Sequence, residues 1–320
     1  MSNCKPYVIG VDMGGTNTVI GIVDSRGKIV AQTAIKTREY NEFEDFVEAM
    51  AKAMRHVMTE VGGARMIAGI GIGAPNANFY TGNIECAANL PWKGICPLAE
   101  MLYDKLDIPV AVTNDANAAA IGEMTYGAAR GMRDFIMITL GTGVGSGIVV
   151  NGALVYGHDG FAGELGHVKV RRGGRHCGCG QDGCLEAYCS ATGVARTARE
   201  FLETRTEESL LRSIDPEKIT SKDVFDAAMQ GDALSKEIFE YTGQIMGEAF
   251  ADFVCFSAPE AIVLFGGLSK AGELLTNPIR KSMEENLIQC WKGKIKIIQS
   301  ALPAGDAAVL GAAALGWKAQ

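Results

Sequence analysis

Two stretches of this chain follow one plan. Residues 7–31 read as an apolar strand (Tyr7-Val8-Ile9-Gly10-Val11), a glycine-rich turn, a second strand, a polar turn at Asp24-Ser25-Arg26-Gly27 and a third strand. Residues 135–156 repeat it with Phe135 to Leu140, Gly141 to Gly147, Ile148-Val149-Val150, a turn at Asn151-Gly152, and Ala153-Leu154-Val155. Gly14 and Gly141 fall at matching places, about 127 residues apart. A repeated supersecondary unit predicts two related lobes facing each other. A chain of 320 residues is long for one core, which agrees with two lobes around a cleft.

The remaining periodicities fill in each lobe. Glu42 to Val61 carries apolar residues at helical spacing and stops at Gly62-Gly63. Ile67 to Ile72 and Val110 to Val112 read as buried strands, and Ala116 to Tyr126 as an alanine-rich helix. Helices are expected over 190–204, 221–230, 232–256, Leu274 to Cys290 and Asp306 to Trp317, with strands at Ala261 to Phe265 and Ile295 to Ile298. Strands alternating with helices imply α/β lobes whose sheets are covered by helices.

Bulk properties narrow the function. A net charge of −7 gives no whole-molecule attraction for nucleic acid or anionic lipid. The longest apolar stretch, Ala307 to Trp317, is too short to span a bilayer. The first strand follows Met1 so closely that no signal peptide is expected, and a cytoplasmic location is the default.

Glycines mark the strand ends. Asp12-Met13-Gly14-Gly15-Thr16-Asn17 closes the first strand. Backbone approaches phosphate closely only where Cβ is absent; Gly14 and Gly15 meet that need, and Thr16 adds a hydroxyl donor. Asp12 is placed to hold Mg²⁺ beside a polyphosphate. Alone, the segment reads equally as a plain glycine hairpin. Gly141-Thr142-Gly143-Val144-Gly145 and Gly266-Gly267 after Val263-Leu264-Phe265 make three such strand ends, too many for chance turns. No Walker-type or dinucleotide-binding fingerprint stands out.

Nine cysteines divide into two groups. Cys4, Cys86, Cys96, Cys189, Cys255 and Cys290 are scattered and read as small buried hydrophobes. Cys177, Cys179 and Cys184 follow His167 at intervals of ten, two and five residues, with Gly178, Gly180 and Gly183 between the cysteines. Three thiolates and one imidazole form a closed structural zinc set. His176 is a competing ligand, disfavoured by its nearness to Cys177.

Asn114-Asp115 ends a buried strand and starts the alanine-rich helix. Asp115 is therefore either a helix N-cap or a general base facing the cleft. Glu164 lies three residues before His167, and Glu186 two after Cys184, so a metal there would bring two acids to one place. Carboxylates suit sugar hydroxyls, which donate as well as accept. The alternative for both glutamates is surface salt bridging.

Together these residues resemble the ROK family of repressors and sugar kinases, within the actin-like ATPase superfamily, nearly end to end. The most specific part is Glu164-Leu165-Gly166-His167 followed by Cys177-Gly178-Cys179-Gly180-Gln181-Asp182-Gly183-Cys184-Leu185-Glu186. The resemblance is strongest to bacterial glucokinases, with Asn89-Leu90-Pro91-Trp92 and Asn114-Asp115-Ala116-Asn117-Ala118 as sugar-site segments. It implies an actin-like (ribonuclease H-like) α/β fold. One lobe would comprise 1–115 plus 305–320, the other 116–304. Asn89, Asn114, Asp115, Glu164, His167 and Glu186 would line the sugar, and Asp115 would take the O6 proton. Asp12, Gly14, Gly15, Thr16, Gly141, Thr142 and Gly143 would serve ATP phosphates and Mg²⁺, while Gly266 and Gly267 would flank the adenosine. A homodimer or homotetramer is also implied.

Two positions depart from the family pattern. Asn17 stands where many relatives carry Lys, which removes a positive charge near the phosphates. Asn76 stands where many carry Gly, beside the expected sugar site. A sugar-responsive repressor is disfavoured because the first phosphate strand starts near residue 7, and a non-catalytic sugar sensor because both loops and the base are intact. Glucose is the expected substrate, ahead of N-acetylglucosamine, N-acetylmannosamine, mannose, fructose and allose. Polyphosphate is the alternative phosphate donor.

Overall fold

The computed structural model describes residues 5–87, 90–303 and 306–319. The first repeat unit opens a sheet built from β1 (Tyr7–Met13), β2 (Asn17–Asp24), β3 (Ile29–Lys36), β4 (Ile67–Gly73) and, after a short β5 (Ile84–Glu85) and β6 (Ile95–Cys96) hairpin, β7 (Val110–Thr113). Its order is β3-β2-β1-β4-β7. The second unit opens a sheet of β8 (Phe135–Leu140), β9 (Val144–Val150), β10 (Ala153–Leu154), β11 (Ala261–Phe265) and β12 (Lys296–Gln299), ordered β10-β9-β8-β11-β12. Each sheet joins three antiparallel strands to two parallel ones, in the same places. The echo in the sequence is thus an echo in topology.

Helices cover both sheets. In the first half these are α1 (Phe43–Thr59), α2 (Leu98–Leu106) and α3 (Asp115–Tyr126); in the second, α4 (Glu186–Cys189), α5 (Ala191–Thr204), α6 (Ser221–Met229), α7 (Ala233–Ser257), α8 (Glu273–Asn286) and α9 (Ala307–Gly316). The face of α1 bearing Phe46, Val47, Met50 and Met54 is fully buried in the core of the first sheet. The helix expected to run to Cys290 ends at Asn286, because Leu287 turns to extended backbone (φ −67°, ψ 141°).

Two helices are exchanged between the sheets. The α3 helix follows the last strand of the first sheet yet packs on β8 and β9, and α9 follows the last strand of the second yet packs on β1 and β4. They also pack on each other. The approach of α9 is set by glycines: a Cβ on Gly10 would lie 2.1 Å from the Val309 carbonyl oxygen, and one on Gly71 1.9 Å from that of Ala312. Any side chain at either position would push the helix off the sheet.

The scattered cysteines correct one expectation. Cys96 and Cys189 are buried, but Cys86, Cys255 and Cys290 are exposed; Cys4 lies outside the described residues. No helix among the described residues is long and apolar enough to cross a membrane.

Candidate active site

Between the sheets lies a cleft of about 650 Å³. Five residues singled out from the sequence reach it together: Asn114, Asp115, Glu164, His167 and Glu186. Asn89 lies outside the described residues. Its neighbours Leu90 and Trp92 are buried in the core of the first sheet, and Trp92 packs tilted against Phe46 of α1 at 4.5 Å between ring centroids.

The question of who caps α3 has a clear answer. Asn114 is the N-cap, its side chain accepting the amides of Ala116 and Asn117. Asp115 is the first residue of the helix, and one of its oxygens also accepts the Ala116 amide, at 2.8 Å. Burial is the main influence on its carboxyl and raises its pKa, against the lowering effect of that backbone contact. Nearby Asp12, at the end of β1, is pushed up to about 6, first by burial and then by the charge of Asp115. Two acids thus share one corner, Asp115 open to the cleft and Asp12 half-buried, an arrangement that favours a proton or a cation between them.

Both glycine turns have their carbonyl oxygens occupied from within the protein. In the first, the carbonyl of Gly14 accepts the Thr37 hydroxyl (2.8 Å), that of Gly15 the Arg38 guanidinium (3.0 Å) and that of Thr16 the Thr37 amide (2.9 Å). In the second, Gly141 accepts the Ala191 amide (2.9 Å), Thr142 the Thr192 hydroxyl (2.9 Å) and Gly143 the Gly141 amide (3.0 Å). Carbonyl oxygens repel phosphate, so occupying them with donors inside the protein removes that repulsion. The cation of Arg38 beside Gly15 had no signal in the sequence. It sits near the loop that Asn17 leaves without a lysine.

Glu186, at the start of α4, pins the second turn. Its carboxylate accepts the Val144 amide at 2.9 Å, and a Cβ on Gly143 would lie 2.4 Å from it. Glu164 precedes a short 3-10 turn over Leu165–His167. Its pKa is raised chiefly by burial, with His167 pulling it down and Asp115 and Glu186 pushing it up. Among the described residues neither glutamate forms an ion pair, which rules out the salt-bridging alternative.

The cysteine loop brings His167, Cys177, Cys179 and Cys184 together, with one donor atom from each within 4.8 Å of the others. Cys179 Sγ and Cys184 Sγ are 3.7 Å apart, and Cys177 Sγ is 3.8 Å from His167 Nδ1. Metal–sulfur bonds of about 2.3 Å in a tetrahedron put sulfurs about 3.8 Å apart. The cluster therefore has the dimensions of a tetrahedral metal site. The competing His176 is turned elsewhere, 3.0 Å from Asp182.

Gly266 and Gly267 do not reach the main cleft. They line a separate cavity of about 180 Å³ with Ser269, Lys270, Gln299 and Ser300. The main cleft also contains Thr139, Ser146 and Phe161, which had not been singled out, with Asn117 and the exposed Cys86. Asn117 was visible only as part of the Asn114-Asp115-Ala116-Asn117 run. Asn76, also in the cleft, has φ 53° and is exposed, and its amide donates to the Glu85 carbonyl at 3.1 Å. A left-handed backbone suits glycine, and asparagine tolerates it better than most other residues.

Comparison with known proteins agrees with this architecture. The ROK family model matches residues 8–319. A glucokinase of Halalkalibacterium halodurans is 39% identical over 282 residues, covering 87% of this chain and 85% of its own. A glucokinase of Thermotoga maritima is 36% identical, covering 97% of each. The solved ROK family glucokinase of Streptomyces griseus, in complex with glucose and AMPPNP, superposes with a TM-score of 0.79 at 34% identity, covering 98% of this chain and 99% of its own. The fold is the actin-like ATPase fold of ROK sugar kinases. A single family model spanning nearly every residue, together with these full-length relatives, places the chain in the ROK family.

Proposed function

We propose that the chain is a glucokinase, transferring the γ-phosphate of ATP to the 6-hydroxyl of glucose. One observation carries the mechanism: Asn114 takes the cap of α3, and the Asp115 carboxyl, with a raised pKa, is open to a cleft that also holds Asn114, Glu164, His167 and Glu186. The glucokinases of H. halodurans and T. maritima, and the S. griseus structure with glucose and AMPPNP, support the substrate pair.

Asn89, Asn114, Glu164, His167 and Glu186 would hold the sugar hydroxyls. Asp115 would accept the proton of O6 as that oxygen bonds to the γ-phosphorus and the bond to ADP breaks. A base whose pKa is raised toward the working pH is better matched to this transfer. Gly14, Gly15, Thr16, Gly141, Thr142 and Gly143 would hold phosphates, and Gly266 and Gly267 the adenosine. Asp12, whose pKa is raised first by burial and then by the charge of Asp115, would hold Mg²⁺, directly or through water, and that ion would supply positive charge against the phosphates. Zinc is the metal proposed for the His167, Cys177, Cys179 and Cys184 cluster, on the dimensions given above. Four protein ligands leave no open position, so it would order the loop rather than react. A cytoplasmic location fits a reaction that consumes ATP. Assembly as a homodimer or homotetramer rests on the family resemblance.

The test is Asp115→Asn. Glucose binding, followed by calorimetry, should persist while ADP release with glucose falls about 10²–10⁴-fold. Near-normal turnover would remove Asp115 from the chemistry. Comparing kcat/KM across the six sugars named above checks the acceptor: a hexose preferred over glucose would keep the kinase and change its name.

A further inference from the structure

Glu123 sits in α3, eight residues beyond Asp115, or about 12 Å along the helix axis. It has no solvent exposure. A carboxylate is seldom buried completely unless its oxygens are occupied. One oxygen accepts the Ala128 amide at 2.6 Å, and the other accepts the hydroxyl of Ser300. The room it takes is reserved by Gly127, where a Cβ would lie 2.1 Å from the carboxylate.

Ser300 belongs to the wall of the Gly266-Gly267 cavity. Its amide donates to the Leu264 carbonyl at 2.9 Å, and its hydroxyl oxygen accepts the Leu302 amide at 3.2 Å. Beside it, the Gln299 side chain donates to the Ser269 carbonyl, and the Ser269 hydroxyl to the Gly266 carbonyl, both at 2.8 Å. The wall is thus one hydrogen-bonded unit. Glu123 joins it to α3, which is buried from Ala116 through Glu123.

We infer that Glu123 is a positioning residue for the nucleotide. It fixes the wall of the adenosine cavity to the helix whose first residue is the general base. Base and donor pocket are then registered by one rod. The inference rests on placing adenosine at Gly266 and Gly267. It assigns Glu123 no contact with either substrate.

A carboxamide at 123 keeps the size but cannot accept from both donors through two oxygens. Glu123→Gln should therefore raise the KM for ATP about 5- to 30-fold while the KM for glucose stays within about twofold. Ser300→Ala should give a similar split. The double variant should be little worse than either single one, because both cut the same link. A residue that only supports folding would lower the melting temperature and leave both KM values alone; that result overturns the inference. If Glu123→Gln fails to fold, Ser300→Ala decides alone, and an unchanged KM for ATP there also overturns it. Gly267→Val separates the two readings, since a Cβ at Gly267 meets no atom within 4 Å and would project into open space. If that variant raises the KM for ATP while Glu123→Gln and Ser300→Ala do not, only the positioning role falls. If Gly267→Val has no effect, the placement of adenosine falls and the inference with it.

Discussion

At the strand end before its turn, the first hairpin carries Asp12 and the second carries Thr139. Both positions lie two residues ahead of the matching glycines, Gly14 and Gly141. The Thr139 hydroxyl accepts the Gly145 amide at 3.1 Å, so the second hairpin satisfies itself. Asp12 instead meets the charge of Asp115 across the corner. The turns differ too: Met13 pairs with Thr18 around four residues, whereas Leu140 pairs with Val144 around three. Topology was duplicated and the chemistry was not. One turn keeps an acid whose pKa is pushed up to about 6; the other is braced by Glu186 through the Val144 amide.

Breaking the contrast chemically should have the largest effect. Asp12→Asn removes the acid that the second hairpin lacks, and turnover in an ADP-release assay should drop by about 10²-fold or more at saturating glucose. If the variant keeps more than a tenth of its activity, the two hairpins are equivalent after all.

The same variant sharpens the contrast in stability. A carboxyl whose pKa is pushed up to about 6 in the folded state, against an ordinary 3.8, binds its proton in the folded state first. Its contribution to stability is fully present below about pH 4 and is lost as pH rises through about 6. At pH 7.5 without Mg²⁺, Asp12→Asn should therefore be more stable than the unmodified protein, by about 1–3 kcal/mol in urea unfolding. The gap should close as pH falls to 4. A gap that stays constant across this range would mean that Asp12 does not titrate as its surroundings imply.

The smallest effect concerns the metal. Glu186 follows the ligand Cys184 by two residues, so loosening the cluster should loosen the second turn alone. Removing the proposed zinc, or Cys179→Ser, should speed hydrogen exchange at the Val144 amide about tenfold and leave the Gly14 amide unchanged. Equal changes at both amides would mean that the cluster stabilises the molecule generally.

Much of this was legible because it is local. The intervals among His167, Cys177, Cys179 and Cys184 are those of a chelating loop, and glycines after apolar strands mark close backbone approach wherever they occur. Cys86, Cys255 and Cys290 were misjudged because exposure depends on which face a neighbour covers, and no local pattern carries that. The role of Asp115 could not be separated from capping until Asn114 was seen to take the cap. Arg38 escaped notice because nothing ties residue 38 to residue 15 in the chain. Glu123 looked like one polar residue in an alanine-rich helix.

The chain alone determined the two strand-turn-strand units, the candidate metal ligands and the list of acids, since backbone preference and ligand spacing act over a few residues. Tertiary structure decided which acids share a corner, because a pKa responds to burial and to charges that arrive from distant segments. It also decided the exchange of α3 and α9 between sheets, through glycines that matter only once a helix lies against them.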